Sequence, residues 1–428
     1  MNASNESFLN NLPRGWTVDR LKDVVNLRNE RTSEASETED YLELEDIESG
    51  TGRILNKRDT MNVVSDVTLF KKGDVLFGKL RPYLEKYYHA EFDGKCTGEI
   101  LAFQPKAIAG SFLRYCIASP WFIERCNMLA YGAKMPRVNW PTQLAQFNIP
   151  LPHRQEQERI AAYLDASCAA IDAAVAAKRR QIETLDTLRK STIHRAVTKG
   201  LNQKVEMKNS GVEWFDKVPV HWHVDRLKDV VAANKDAIKV GPFGSDLLLG
   251  EMTDDGVKVF NQRSVIDRDF DSGNHFISIE KYEAMKAFTV YPRDLLITTR
   301  GTIGRCAVVP DSSPVAILHS CLMRVQTNRA KLLPEYLSIL IQDCGLVLRQ
   351  LQMMSAATTI DVIYSDSLKR TYLPLPPVTE QRDIISYIDD KDIEFISLSR
   401  QIERQIETLL AYRKSLIHEC VTGQRRIS

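Results

Sequence analysis

The stretch QIETLDTLRKSTIHRAVTKG at 181–200 returns as QIETLLAYRKSLIHECVTGQ at 405–424, a displacement of 224 residues (405 − 181). The same displacement carries Pro150-Leu151-Pro152 and Glu156-Gln157 onto Pro374-Leu375-Pro376 and Glu380-Gln381. Upstream, Val18–Val25 recurs letter for letter as Val224–Val231, now displaced by 206 (224 − 18). The chain is therefore a tandem duplication with like edges and diverged interiors, the second interior longer by a net 18 residues (224 − 206). Such a pattern suits one scaffold that holds two different things.

The repeated edges read as helices. From Gln155 to about Lys199 there is no Pro and no Gly, and good helix formers dominate. Ile160, Leu164, Ile171, Val175, Ile182, Leu185 and Ile193 fall mostly three, four or seven apart. The second copy, Glu380 to Val421, repeats this with Ile384, Ile388, Phe395, Leu398, Ile402, Ile406, Leu409, Leu416 and Val421. So narrow a stripe fits a seam between two helices. Gly200 and Gly423 stand where each helix should stop. Each would run about 45 residues, roughly 65–70 Å. Neither can stand alone with an apolar stripe exposed, so the two should pair. An antiparallel pairing relates equivalent helices by a local twofold and would put the diverged domains at opposite ends of a rod.

Residues 1–149 and 209–373 read as compact mixed α/β domains, with 150–208 and 374–428 as helical spacers. Short strands such as Gly73–Phe77 and Arg293–Thr298 lie between Gly, Pro and Asp turns, and helical stretches near Phe112–Leu129 and Pro334–Leu351 lead back to the long helices. Loops that differ in length on a shared frame commonly carry recognition.

Composition bounds the chemistry. A length of 428 residues, 43% hydrophobic and 26% charged, is that of a multidomain globular protein. No run approaches the roughly 18 apolar residues of a membrane span, and the first residues lack the basic-then-apolar order of a signal peptide; a cytoplasmic protein with no membrane partner is expected. The eight cysteines never form CxxC, so reduced thiols are expected rather than a metal site or disulfide framework. A net charge of +1 requires any nucleic-acid binding to rest on local cationic faces.

Catalytic motifs are missing from the sequence. There is no GxxxxGK[ST] loop, no GxGxxG opening a helix, no HExxH and no Asn/Asp-Pro-Pro-aromatic motif beside a glycine-rich strand. The paired acids Glu43/Glu45/Asp46 and Asp254/Asp255 read as solvated turns, and His194 and His418, at equivalent helix positions, as packing residues. Polar and cationic loops stand out instead. Gly78–Lys86 follows a strand and carries Lys79, Arg81 and Lys86 with a Tyr; Tyr131–Asn139 adds Lys134, Arg137 and Asn139. In the second interior Gly241-Pro-Phe-Gly-Ser245 forms a turn, Asn261-Gln262-Arg263 ends a strand, and Thr298–Arg305 contributes Thr299, Arg300, Thr302 and Arg305. Thr358-Thr359 sits near the place equivalent to Arg137. Arg and Lys can grip phosphate or read guanine, and Asn and Gln can pair with adenine. These are the candidate DNA-binding residues.

Taken together, these pieces resemble the specificity subunit of Type I restriction-modification systems. The resemblance rests on Pro13-Arg-Gly-Trp16 and Pro219-Val-His-Trp222, each running into Val-Asp-Arg-Leu-Lys. It rests also on Gly73–Pro82, Gly241–Ser245, Arg300–Arg305, and the Pro-Leu-Pro…Glu-Gln openings of both helices. It implies two globular target-recognition domains of mixed α/β fold, separated by two long helices packed as an antiparallel coiled coil with a pseudo-twofold repeat. Each domain would read half of a bipartite, asymmetric site on double-stranded DNA, and the helices would set the spacing. It further implies that this chain is no enzyme and binds no cofactor. Two modification subunits would carry S-adenosylmethionine and methylate adenine, and restriction or translocase subunits would cut. A coiled-coil interaction scaffold and a specificity subunit of a different phage-defence complex are the rival readings.

Overall fold

The computed structural model describes residues 7–34, 40–61, 66–273, 275–355 and 362–427. The chain divides into two compact units, Met1–Arg180 with Ile402–Ser428, and Gln181–Gln401. Each unit takes one globular region and part of each long helix.

In the first unit the strands Val25–Leu27, Ile100–Pro105, Val75–Gly78 and Tyr87–His89 lie side by side in that order, all antiparallel. Every residue of Val75–Gly78 is buried, as an unbroken apolar run predicts for a central strand. A second sheet orders Arg31–Thr32, Val67–Phe70, Gly94–Cys96 and Tyr41–Leu42, the last pair parallel. Helices Gly110–Ala118 and Pro120–Leu129 pack on the first sheet, Pro120 starting the second of them. Phe77, Phe112, Phe122 and Phe147 fill the core, with Phe122 meeting Phe77 and Phe147 edge-on at 5.5 and 5.2 Å.

The second unit repeats the first sheet as Ile238–Val240, Leu322–Val325, Leu295–Thr298 and Cys306–Val308. Its second sheet orders Thr289–Val290, Ala316–Leu318, Val257–Phe260 and Phe276–Ile277. Three strands match the first unit, including the parallel pair, but the fourth is added on opposite edges. Arg31–Thr32 flanks Val67–Phe70 in one unit; Phe276–Ile277 flanks Val257–Phe260 in the other. Divergence therefore reaches the sheet rims while the centre holds.

The long helices span Arg154–Lys199 and Val378–Val421. Gly200 and Gly423 follow them in the left-handed region, φ +72° and +75°, which only glycine adopts at little cost. Within the first unit Arg413 lies 3.4 Å from Asp172, and Arg425 donates to the Tyr163 hydroxyl at 3.3 Å. Within the second, Arg189 pairs with Asp392. Partner numbers fall on one helix as they rise on the other, so the helices run antiparallel in each unit. Ile160, Leu164, Ile171 and Val175 are buried with Leu416 and Val421; Ile193 is buried with Ile384 and Ile388. Leu398 departs from the expected stripe and is 39% exposed.

The repeated Glu-Gln opening has a structural cause. Gln157 is buried, accepts from the Ala109 N–H at 2.7 Å and donates to the Pro152 carbonyl at 2.8 Å. Gln381 does the same with the Leu333 N–H at 2.8 Å and the Pro376 carbonyl at 3.0 Å. Each glutamine thus ties the start of a long helix to its unit's helical layer, satisfying backbone groups that would otherwise be buried unpaired.

Two sequence expectations need correction, on membrane-length apolar stretches and on Asp46. An 18-residue window in Arg154–Lys199 is apolar enough, by length and composition, to cross a membrane. It is alanine that raises the average, and the larger apolar residues there are spent on the unit's core. Asp46 is no solvated turn residue: its carboxylate is buried, accepts the Glu43 N–H at 2.8 Å, and is gripped by Arg58 Nε at 2.9 Å. The eight cysteines are free thiols, six of them buried. His418 packs edge-on against Phe8, and His194 Nδ1 lies 3.4 Å from Cys344 Sγ; burial pushes both imidazoles down toward the neutral form.

Candidate nucleic-acid interface

The candidate loops leave the sheets at one end of each unit, and backbone hydrogen bonds tie them together. In the first unit Lys79 N–H donates to the Glu99 carbonyl (3.0 Å), Thr97 to Leu42 (3.1 Å), Val138 to Lys79 (3.0 Å) and Arg28 to Ala102 (2.9 Å). In the second, Thr299 donates to Cys321 (2.9 Å), His319 to Phe260 (3.0 Å), Ile363 to Thr299 (3.1 Å) and Gly241 to Leu322 (2.8 Å). The first three bonds of each set are the same bonds at equivalent places, whereas Gly241 sits two residues farther along its strand pairing than Arg28 does. The side chains the shared bonds carry differ: Lys79 becomes Thr299, Glu99 becomes Cys321 and Thr97 becomes His319. Gly241 is required by its frame, because an added Cβ would lie 2.1 Å from the His319 carbonyl oxygen.

On the first edge, Lys79 is half-buried and Lys134 exposed, with no side-chain partner for either ammonium among the described residues. Arg81 stands in the left-handed region at φ 50°, as does Glu85 at φ 51°, on either side of the 3-10 turn Pro82–Leu84. A non-glycine residue there costs about 1–2 kcal/mol. Arg81 Nη2 reaches the Lys134 carbonyl at 3.4 Å while its Nε is buried without a partner. The other cations look inward. Arg137 is forked onto Glu99 at 3.0 and 3.1 Å, and Lys86 donates to the Ile47 carbonyl. Asn139 closes a local turn through the Thr142 N–H and hydroxyl at 3.1 and 3.0 Å.

On the second edge, Arg300 and Arg305 are exposed, and among the described residues neither guanidinium has a partner. Gln262 holds their loop, donating to the carbonyls of Arg300 at 3.1 Å and Thr302 at 3.4 Å. Thr299 is buried and spends its hydroxyl on the Cys321 carbonyl at 3.0 Å. Asn261 caps the short helix Gln262–Ile266, accepting from Arg263 and Ser264 at 2.9 and 3.2 Å. Arg263 is exposed and bonds Asp267 at 3.2 Å one turn on. Ser245 lies in the turn Gly244–Asp246. Thr358 and Thr359 lie outside the described residues.

The candidates thus divide by role. Lys79, Lys134, Arg263, Arg300 and Arg305 present cations outward, whereas Lys86, Arg137, Asn139, Asn261, Gln262 and Thr299 build the loops that carry them. The segment His319–Cys321 belongs to the second edge and was not singled out in the sequence. Only its displacement of 222 from Thr97–Glu99 (319 − 97) marks it, and that is legible only once the strands are paired. Burial pushes the His319 imidazole down, and its Nδ1 lies 3.4 Å from the Cys321 N–H, an acceptor's position.

Two diverged, cation-edged sheet domains on one repeated frame define a two-headed recognition protein. The family model for the Type I restriction modification DNA specificity domain matches residues 13–184 and 219–408, and the chain belongs to that family. It is 22% identical over 439 residues to a putative type I restriction enzyme MjaX specificity subunit of Methanocaldococcus jannaschii, covering 97% of this chain and 95% of that one. It is 24% identical over 305 residues to the EcoBI specificity subunit of Escherichia coli, covering 69% of this chain and 60% of that one. The fold is shared with a solved chain of a type I R-M system, TM-score 0.70 and 18% identity over 97% of this chain and 99% of that one. The HsdS subunit from Thermoanaerobacter tengcongensis gives TM-score 0.55 and 18% identity over 97% and 98%. The chain is a specificity subunit, a non-catalytic component whose family role is DNA sequence recognition within a Type I restriction-modification complex.

Proposed function

We propose that each globular region reads one half of a bipartite, asymmetric site on double-stranded DNA, and that the paired helices fix the gap. The observation that carries this is the set of three backbone hydrogen bonds recurring in both units beneath different side chains. One frame aims two edges, and the edges differ where bases would be met. In the first region Lys79 and Lys134 are the outward contacts, with Arg81 joining their loops through the Lys134 carbonyl. In the second, Arg263, Arg300 and Arg305 make them, with Gln262 and Asn261 setting the loop.

Each mismatched base pair typically costs about 1–3 kcal/mol, so one short half-site discriminates weakly. Linking two readers makes the second engagement intramolecular and adds their discrimination. The partners in this reading are two modification subunits, which hold S-adenosylmethionine and methylate adenine, and restriction subunits that act on unmodified DNA. This chain binds no cofactor of its own and works in the cytoplasm. Selection of duplexes from a random library by the full chain in its complex tests the proposal. Two short base clusters at a fixed separation are expected; a single contiguous cluster would contradict it.

A further inference from the structure

We infer that Tyr83 is a specificity-determining residue of the first domain, its ring meeting a base step of the half-site directly. The inference rests on the half-site reading above. Tyr83 is the middle residue of the turn Pro82–Leu84 and is 53% exposed, on the loop that also carries Lys79 and Arg81. Its hydroxyl has no hydrogen-bond partner among the described residues. The turn is bounded by the two left-handed residues Arg81 and Glu85, a backbone that non-glycine residues adopt only where their surroundings impose it.

Arg81 N–H donates to the Pro136 carbonyl at 2.7 Å, Leu84 to Arg81 at 2.9 Å and Glu85 to Pro82 at 2.8 Å. Gly50 N–H bonds the Glu85 carbonyl at 3.0 Å, Ser49 Oγ bonds the Leu84 carbonyl at 2.5 Å, and Lys414 of the long helix pairs with the Glu85 carboxylate at 2.5 Å. Pro82 is buried. The turn is therefore held from the domain, from the neighbouring loop and from the helix, and what it holds out is a phenol ring. Tyr131 and Met135, 59% and 44% exposed, lie on the loop bonded to Arg81, beside Lys134. An apolar ring among outward cations suits DNA, where phosphates meet the cations and a ring can stack, wedge, or touch a thymine methyl. A rigid tyrosine also loses little side-chain freedom on binding.

The test is duplex selection from a random library by the full complex carrying wild-type chain, Tyr83→Ala or Tyr83→Phe, with thermal unfolding of each. All three should melt alike, because the side chain is exposed. Tyr83→Ala should lose preference at one or two adjacent base pairs of the first half-site and bind the wild-type consensus roughly ten-fold more weakly, while Tyr83→Phe stays within about two-fold. The second half-site and the gap should not change. An alanine variant that selects the same bases with the same strength overturns the inference. So does a variant that loses its modification subunits while keeping its base preferences, which would make Tyr83 a protein contact. A wild-type complex that selects no paired clusters would instead remove the half-site reading itself.

Discussion

Arg189 of the first long helix and Asp392 of the second form a two-pronged ion pair, Nε to Oδ1 at 2.7 Å and Nη2 to Oδ2 at 2.6 Å, across 203 residues of chain. Asp343 of the globular region approaches the same guanidinium at 3.5 Å. One arginine thus joins both helices and the domain. Its counterpart 224 residues on, Arg413, meets Asp172 and the Gly50 carbonyl in the first unit. The repeated Arg-Lys-Ser of the two copies marks this joint.

Arg189→Ala should destabilise the second unit by about 1–2 kcal/mol, between the values for exposed and buried pairs. The loss should depend on pH. Burial holds the Asp343 carboxyl above its usual range while Arg189 draws it down. A carboxyl raised on folding binds its proton more tightly in the folded state, so its contribution to stability is lost as pH rises through the folded value. Removing Arg189 raises it further. The deficit of the variant should be smallest near about pH 4 and grow toward neutrality. Denaturant titrations across that range check this; a deficit flat in pH would contradict it.

Gln381→Leu removes three bonds at once, to the Leu333 N–H and to the carbonyls of Pro376 and Lys331, and leaves the first two groups buried without a partner. A loss of about 2–3 kcal/mol is expected. Gln157→Leu should cost a similar amount at Ala109 and Pro152. Hydrogen exchange should report each change locally, with the Leu333 amide accelerated in one variant and the Ala109 amide in the other.

Arg300→Ala should leave folding intact, since the side chain is exposed, and weaken binding to the second half-site by about 1–3 kcal/mol if the arginine pairs with a base. If it grips phosphate, the loss should be uniform across sequences and the salt slope should fall by about one ion. Binding titrations at several salt concentrations on matched and substituted duplexes distinguish the two. Unchanged binding would remove Arg300 from the interface.

Much of this was legible in the sequence because periodicity is a local property. The absence of Pro and Gly over more than forty residues and the spacing of Ile160, Leu164, Ile171 and Val175 predict the first long helix to within a residue of its observed start. Strand-exit loops were legible from their Gly, Thr and Arg punctuation. What was not legible depends on residues distant in sequence. Arg137 reads as a free cation until Glu99, 38 residues earlier, is brought beside it. Asp46 reads as solvated until Arg58 closes over it. The edge role of His319–Cys321 exists only because the strands on either side belong to different sheets.

The spacing role of the helices gives a length-specific prediction. Four residues inserted after Gln181, with a matching four after Gln401 to keep the antiparallel partners in step, add about 6 Å of helix. The tolerated gap between half-sites should change while the half-site sequences stay the same. Altered half-sites with an unchanged gap would contradict a spacing role.

The most direct test of the central claim is base-resolution mapping of adenine methylation in host DNA with and without this gene. A bipartite, asymmetric methylated motif that disappears on deletion is the predicted result, and it would give both half-sites and their gap at once. A methylome that retains every such motif after deletion would contradict the account.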